Sequence, residues 1–406
     1  MPSKIKKRHL LDLSIFIPYL VLCIIGLIMV YSSTSYKQID IGLNPAGMVK
    51  NQLVFWVLSL FFMLVIYRMK TKIFQMKGLM NLAMAVTGLL LCITLMFGEE
   101  INGAKGWLSI GSFNMQPAEY LKILIVWYLA YRFSKRQPQI GEHDIEAFKG
   151  PLAITLGFIA LVAIQPDMGN AVILGIIMVI MILVSGISYK WTAVSVPTVV
   201  FLGVLATEVV LLTHGKVLGP FQYIYKRFQA FATPFAEDVV RDAGHQLVNS
   251  YYAINNGGWF GLGLGNSIEK KGYLPEAHTD FIFSIVVEEL GVVAALLILF
   301  LLVFMICRML LVGIRAHSAF NSMMAIGIGS MFLVQLFINV GGIVGLIPST
   351  GVTFPFLSQG GNSLLVLSVS VGFVLNVSAD EQRYRIETES QEVLKRQSIR
   401  RTQANA

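Results

Sequence analysis

The sequence predicts an all-α polytopic membrane protein of about ten transmembrane helices, with a long extracytoplasmic loop between the seventh and eighth. Three observations carry this. First, 55% of the 406 residues are hydrophobic and only 13% are charged, with mean hydropathy +0.70, whereas a soluble domain carries roughly 25% charged residues. Second, the apolar residues gather in long runs, and a membrane span needs about 20 of them. Third, the basic residues lie between the runs and are distributed unequally.

Ten apolar runs lie near 10–31, 52–67, 79–97, 118–133, 151–165, 168–187, 190–213, 281–307, 319–344 and 358–378. The first follows Lys4, Lys6, Lys7 and Arg8. It is too long for a signal peptide and no small-residue cleavage site follows, so it reads as a retained helix. Only Gln165-Pro166-Asp167 separates the fifth run from the sixth. Proline disfavours helix at itself and at the preceding residue, so this reads as a tight turn between two spans. With the N-terminus inside, 21 of the 31 Lys and Arg fall in inner segments, while the short outer loops hold only Lys37, Lys50 and Lys105. Ten spans with both termini cytoplasmic satisfy the positive-inside rule; nine would put the six-base tail outside. The chain then divides into a cytoplasmic N-terminus (1–9), a membrane domain (10–378) containing the outer loop 214–280, and a cytoplasmic tail (379–406). The tail reads as a solvated segment or weak helix. The net charge of +8 becomes a topology signal with attraction to anionic inner-leaflet lipid. No basic stripe with interleaved aromatics points to nucleic acid. Cys23, Cys92 and Cys307 sit in apolar runs with neither disulfide nor metal-ligand spacing.

Chemistry is expected in the outer segments 98–117 and 214–280. The second is far too long for a simple connection, and long loops on a rigid scaffold often carry function. Five glycines in residues 257–265 permit positive φ and close backbone approach. That stretch reads either as a re-entrant turn or as a cradle for a substrate. Glu276, His278 and Asp280 then lie at the outer mouth of the eighth helix. Asp280 reads either as an N-cap or as a working carboxylate at the water–lipid boundary. A cap needs one residue, and three polar side chains are present. Glu288 and Glu289 lie roughly 12–13 Å further along the helix axis. Ionisable residues inside a span are functional candidates by default, although one could pair with a buried base. Glu119 and Lys122 share a helix face, as a structural ion pair or as a cation presented to a phosphate group. Lys105 and Trp107 lie just upstream, where the indole could anchor at the interface or stack on a sugar. The stretch Ile347 to Ser363 breaks the helical pattern with Pro348, Gly351 and Pro355. Irregular backbone at membrane depth survives only where it is buried in protein or lines a cavity, so a cavity is expected between the eighth and tenth helices.

Several stretches carry a resemblance. They are Gly106-Trp107, Gln116-Pro117-Ala118-Glu119-Tyr120-Leu121-Lys122, and Gln165-Pro166-Asp167-Met168-Gly169. Gln246, Gly257 to Gly265, Leu274 to Phe283 with Glu288 to Gly291, and Pro355 to Ser363 complete the set. On these the chain resembles the SEDS family of peptidoglycan glycosyltransferases, from Pro18 to Asn376. It is closer to the cell-division branch of that family than to the elongation branch. The resemblance implies lipid II as substrate, an inverting transfer, and a class B penicillin-binding transpeptidase and other divisome proteins as partners. It implies residence in the bacterial cytoplasmic membrane, at the septum, and a divalent cation, Mg or Mn. The family's essential aspartate falls on Asp280. Its Trp, Glu and Lys fall on Trp107, Glu119 and Lys122. Lys105, Lys270, Glu276, His278, Glu288, Glu289, Ser358 and Gln359 complete the candidate substrate contacts. The family usually shows Ser-Tyr-Gly-Gly-Ser-Ser where this chain has Ser358-Gln359-Gly360-Gly361-Asn362-Ser363, so Gln359 and Asn362 are expected to shape the cavity. Two other readings are a flippase for lipid-linked precursor and a non-catalytic scaffold. The absence of an internal repeat, with polar residues at the mouth rather than the midplane, weighs against the flippase.

Overall fold

The computed structural model describes residues 7, 10–101, 104–110, 113–140, 144–214, 222–241 and 244–404. The basic residues Lys4, Lys6 and Arg8 lie outside these. In chain order the helices are α1 (Leu13–Asp40), α2 (Gly47–Arg68), α3 (Lys77–Phe97), α4 (Pro117–Lys135), α5 (Asp144–Ile164) and α6 (Met168–Val184). Then come α7 (Tyr189–Leu212), α8 (Gln222–Ala232), α9 (His245–Gly257), α10 (Ile282–Ile314), α11 (Ala319–Ile343) and α12 (Gly361–Ala404). Each of the ten apolar runs coincides with one helix; α8 and α9 lie in the long loop. Among the described residues, seven helices are long and apolar enough to cross a membrane: α1, α2, α3, α10, α11, residues Glu146–Ile164 of α5 and Gly361–Val393 of α12. Helix α6 is equally apolar but shorter.

Local chemistry sets the helix ends. Pro117 opens α4, where its missing N–H is no loss. Glu119 in the first turn and Arg132 and Lys135 in the last complement the helix dipole. Asp12 caps α1 by accepting the Ser14 N–H at 3.1 Å. Asp167 caps α6 by accepting the Asn170 N–H at 3.2 Å, so the Gln165–Asp167 break is a turn between two helices, as expected. In the packed bundle α11 is central and touches α4, α6, α10 and α12, while α2 lies along α12 and α1 along α10. Helix α4 is buried along most of its length. Helices α2 and α3 keep apolar side chains such as Val54, Phe61, Leu82 and Leu89 exposed, as lipid-facing helices do.

Three features depart from the sequence expectation. Residues 98–117 hold a three-stranded antiparallel sheet of β1 (Glu99–Ile101), β2 (Ala104–Ile110) and β3 (Phe113–Met115), in that order. Leu108 pairs with Met115 and Ser109 with Asn114. Second, α12 runs on to Ala404, so the tail read as solvated or weakly helical continues the last helix. Third, α10 is broken at Gly291, whose φ is +83°. The glycine-rich loop satisfies the broken backbone. The N–H groups of Leu262 and Gly263 donate to the carbonyls of Glu288 and Glu289 at 2.9 Å each, and Val292 N–H donates to the Gly258 carbonyl at 2.9 Å. A Cβ on Gly291 would collide with the backbone of Trp259 and Phe260. Residues 257–265 form a turn bound to a helix backbone.

Candidate active site

Asp280 closes the turn-rich segment that precedes α10. Phe281, not Asp280, occupies the N-cap position, and no side chain caps that end. The capping reading therefore fails. The backbone around Asp280 is fixed by Asn339 of α11. Its side-chain amide donates to the Asp280 carbonyl at 2.7 Å and to the Val352 carbonyl at 2.6 Å. One residue thereby joins the mouth of α10 to the irregular segment before α12.

The space between them is a cavity of about 480 Å³, with Asp280, Lys226, Arg227, Arg241, His245 and Gly351 in its wall. Asp280 is the only carboxylate among the described residues that line it. Gly351 has φ +77°, and a Cβ there would lie 3.3 Å from Asp280 Oδ2 and 3.5 Å from Arg227 Nη2. Acid and base therefore face the same gap. Arg227 is itself anchored, with Nη1 donating to the Ser349 carbonyl at 3.1 Å. Burial pushes the Asp280 carboxyl up to about 7; the Glu276 charge adds to this and the Arg227 charge opposes it. Burial also lowers His278, against the pull of Glu276, with Lys37 lowering it further.

The neighbouring candidates hold the cavity's frame. Glu276 accepts the Thr279 hydroxyl at 2.7 Å. Ser358 Oγ accepts the Phe354 N–H at 2.8 Å and donates to the Thr279 carbonyl at 2.6 Å. The Gln359 N–H donates to the His278 carbonyl at 2.9 Å. Residues 354–359 are thus fastened to 276–280. Lys122 is fully buried. Its Nζ donates to Glu119 at 2.7 Å and to the Gln335 side-chain oxygen Oε1 at 3.3 Å, and the Gln335 side-chain amide donates to the Thr353 carbonyl at 3.1 Å. Lys122 is not among the residues lining the Asp280 cavity; it braces the segment that carries Gly351. Lys105 and Trp107 lie on β2, half-buried, and the Lys105 N–H donates to the Gln165 carbonyl at 3.1 Å. Neither lines the cavity.

The family described as Cell cycle protein, grouping FtsW, RodA and SpoVE, matches residues 12–383. The chain belongs to this family. It is 45% identical over 403 residues to the probable peptidoglycan glycosyltransferase FtsW of Lactococcus lactis, covering 94% of this chain and 96% of that one. It is 38% identical over 387 residues to the probable peptidoglycan glycosyltransferase FtsW of Bacillus subtilis, covering 93% and 92%. Among solved structures it resembles one described as "Structural coordination of polymerization and crosslinking by a peptidoglycan synthase complex", with TM-score 0.71 at 23% identity over 92% of this chain and 98% of that one. The fold is therefore that of a multi-pass helical membrane protein of the FtsW/RodA/SpoVE family.

In this family member the remaining candidates form a second polar cluster. Lys270 Nζ donates to Glu289 Oε1 at 2.6 Å and to Ser32 Oγ of α1 at 3.1 Å, and Ser32 donates to Glu289 Oε2 at 2.7 Å. Glu288 accepts the Ser267 hydroxyl, the Ile268 N–H at 3.0 Å and the Asn256 amide at 3.3 Å. Both glutamates are fully buried. Donors from the loop and from α1 satisfy them, and they pin that loop to α10. Neither lines the Asp280 cavity. The four bases of the cavity and the bracing amides of α11 escaped the sequence reading. Gln335 and Asn339, four apart inside an apolar run, share one helix face and could have signalled a polar seam. Lys226 and Arg227 sit in a long loop, where the positive-inside rule gives charge little weight.

Proposed function

We propose that this cavity is the polymerisation site of a septal peptidoglycan glycosyltransferase, with lipid II as donor and acceptor on the outer membrane face and both termini cytoplasmic. One observation carries the reading: the Asp280 carboxylate and the Arg227 guanidinium converge on the gap that Gly351 leaves open. An inverting transfer needs a base on the acceptor hydroxyl and positive charge for the departing diphosphate. In this reading Asp280 takes the proton of the sugar 4-hydroxyl. The hydroxyl oxygen attacks the anomeric carbon, and the bond to the diphosphate oxygen breaks with its electron pair leaving on that oxygen. A base held near neutrality suits proton transfer, which contributes about 10²–10⁴-fold. Arg227, Lys226, Arg241 and His245 receive the diphosphate, because charge-assisted hydrogen bonds from guanidinium groups match phosphate oxygens. The buried Lys122 acts at one remove, by holding the segment that carries Gly351.

The donor set does not suit a resident divalent cation. Among the described residues no three His, Cys, Asp or Glu side chains gather as a metal site, and Asp280 stands against four bases. In this reading Mg or Mn arrives with the diphosphate it accompanies. The relatives named peptidoglycan glycosyltransferase and the resemblance to a synthase complex support a transpeptidase partner in the same membrane.

The test is glycan formation from purified lipid II by the full-length chain in liposomes, with and without its transpeptidase. Polymer from wild type and none from a folded Asp280→Asn variant is expected. Movement of labelled lipid between leaflets without polymer would instead make the chain a flippase. Partner binding without either activity would make it a scaffold.

A further inference from the structure

The far end of α10 from Asp280 carries a second cavity that the proposed chemistry does not use. Arg308, Leu311 and Arg315 of α10 face Glu381, Gln382 and Arg385 of α12 across a space of about 60 Å³. Both sets follow helical spacing, so two parallel stripes make one groove. Its volume admits a phosphate-sized group and excludes a nucleotide.

The charges there are not self-compensating. Arg308 is held by Asp12, with Nη2 at 3.0 Å and Nε at 3.2 Å from Oδ2. Glu381 lines the groove, but its carboxylate is engaged by α11 and the turn before it: it accepts the His317 N–H at 3.0 Å, contacts the His317 ring nitrogen at 2.7 Å and accepts the Asn321 amide at 2.8 Å. Arg315 and Arg385 remain. Both are exposed and line the same groove, and Arg385 Nη2 donates to the Arg315 backbone carbonyl at 3.2 Å, which ties the Arg385 side chain to the end of α10. Among the described residues neither guanidinium forms an ion pair. The groove also sits at an apolar boundary, where Leu311 and Ile314 are exposed on α10. Two cations lining one groove call for an anion, and the apolar rim calls for one with a hydrocarbon tail.

We propose that this groove binds the phosphate of an anionic membrane phospholipid, with Arg315 and Arg385 as its ligands and the acyl chains lying along Leu311 and Ile314. Basic pockets between transmembrane helices hold such headgroups, and Arg can fork two phosphate oxygens at once. The bound lipid clamps α10 to α12. The site is independent of the Asp280 chemistry, since neither arginine approaches that cavity.

The experiment uses the full-length chain in phosphatidylcholine nanodiscs with increasing phosphatidylglycerol, followed by thermal melting and by native mass spectrometry of retained lipid. Wild type is expected to gain melting temperature with phosphatidylglycerol and to retain that lipid selectively. R315A/R385A is expected to melt as wild type does in phosphatidylcholine, yet to lose roughly tenfold or more in phosphatidylglycerol affinity. R315K/R385K should recover part of it, because the charge stays and the fork is lost. A separate arm adds millimolar inorganic phosphate to phosphatidylcholine discs. A phosphate response equal to the lipid response, absent from R315A/R385A, would overturn the lipid and assign the groove to free phosphate. An equal phosphatidylglycerol response in wild type and R315A/R385A, or none in wild type, would overturn the site.

Discussion

Arg227 is the residue whose replacement most directly tests how the cavity works. Asp280 Oδ2 and Arg227 Nη2 both lie within 3.5 Å of the open position on Gly351, so they are no more than about 7 Å apart. Opposite unit charges at about 7 Å interact by about 2.4 kcal/mol at an effective dielectric near 20. Since about 1.36 kcal/mol corresponds to one pH unit, this is worth roughly 1.7 pH units. Screening through the cavity mouth reduces the effect, so a shift of about 1 to 2 is expected. The sign follows from the roles. A general base works when deprotonated, so activity rises with pH through the Asp280 value of about 7. Arg227 stabilises the charged carboxylate, so Arg227→Gln raises that value and moves the acidic limb of kcat/KM upward, to about 8 to 9. Initial rates of glycan synthesis from lipid II, measured from mildly acid to alkaline pH, read this directly. The variant should be most impaired at pH 6 to 7 and recover partly at high pH; what it never recovers reports the lost diphosphate contact. Glu276→Gln should move the limb the opposite way, because the Glu276 charge raises Asp280. A limb that stays in place while Arg227→Gln slows turnover equally at every pH would refute the coupling. A limb that moves down would refute the assignment of Asp280 as base.

Three other perturbations follow from the same geometry. Asp280→Asn should lower polymerisation by about 10²–10⁴-fold and gain stability relative to wild type as pH rises from about 4 to 7, because the folded chain holds that proton more tightly than the unfolded one; parallel melting curves for the two proteins across that window would contradict it. Lys270→Met should cost about 3–5 kcal/mol by leaving Glu289 charged and buried, and Lys270→Met with Glu289→Leu should recover most of it; additive losses in denaturant titrations would show that the pair is not coupled. Gly351→Ala should cost about 1–2 kcal/mol at φ +77° and place a methyl group in the gap between acid and base, so a folded variant with ordinary kcat would remove that gap from the mechanism.

The helices and the cavity-lining carboxylate were legible in the sequence; the partners of that carboxylate were not. Ten apolar runs became ten helices because a span must satisfy its own backbone, and that condition is local. Asp280 stood out because a cluster of polar side chains at a helix mouth exceeds what capping requires. The β1–β3 sheet stayed hidden because β1 and β3 have three residues each, too few for alternation to show. The break at Gly291 stayed hidden because a lone glycine in an apolar run is compatible with helix; the loop that replaces the missing hydrogen bonds lies about thirty residues earlier in the chain. Lys122 was legible as the partner of Glu119 because the two are three residues apart on one helix. Arg227 was not legible as the cation opposite Asp280, since that depends on where α8 lies against the segment holding Gly351, and no spacing rule reports it.

The four carboxylates Glu119, Glu288, Glu289 and Asp280 divide into two kinds by how they are satisfied. A buried carboxylate is tolerated when donors surround it. Glu119 has Lys122 on one of its two oxygens, Glu289 has Lys270 and Ser32, and Glu288 has a hydroxyl, an amide side chain and backbone N–H groups. A carboxylate gripped in this way holds structure together. Asp280 is treated differently. Its carbonyl is fixed by Asn339, so its position is set through the backbone while its carboxylate opens into the cavity. Burial and Glu276 raise its proton affinity, and among the described residues Arg227 opposes them. Placement without neutralisation is what a general base requires. The polar pairs buried deeper in the bundle make it possible by holding α10, α11 and the Gly351 segment in register around the Asp280 carboxylate.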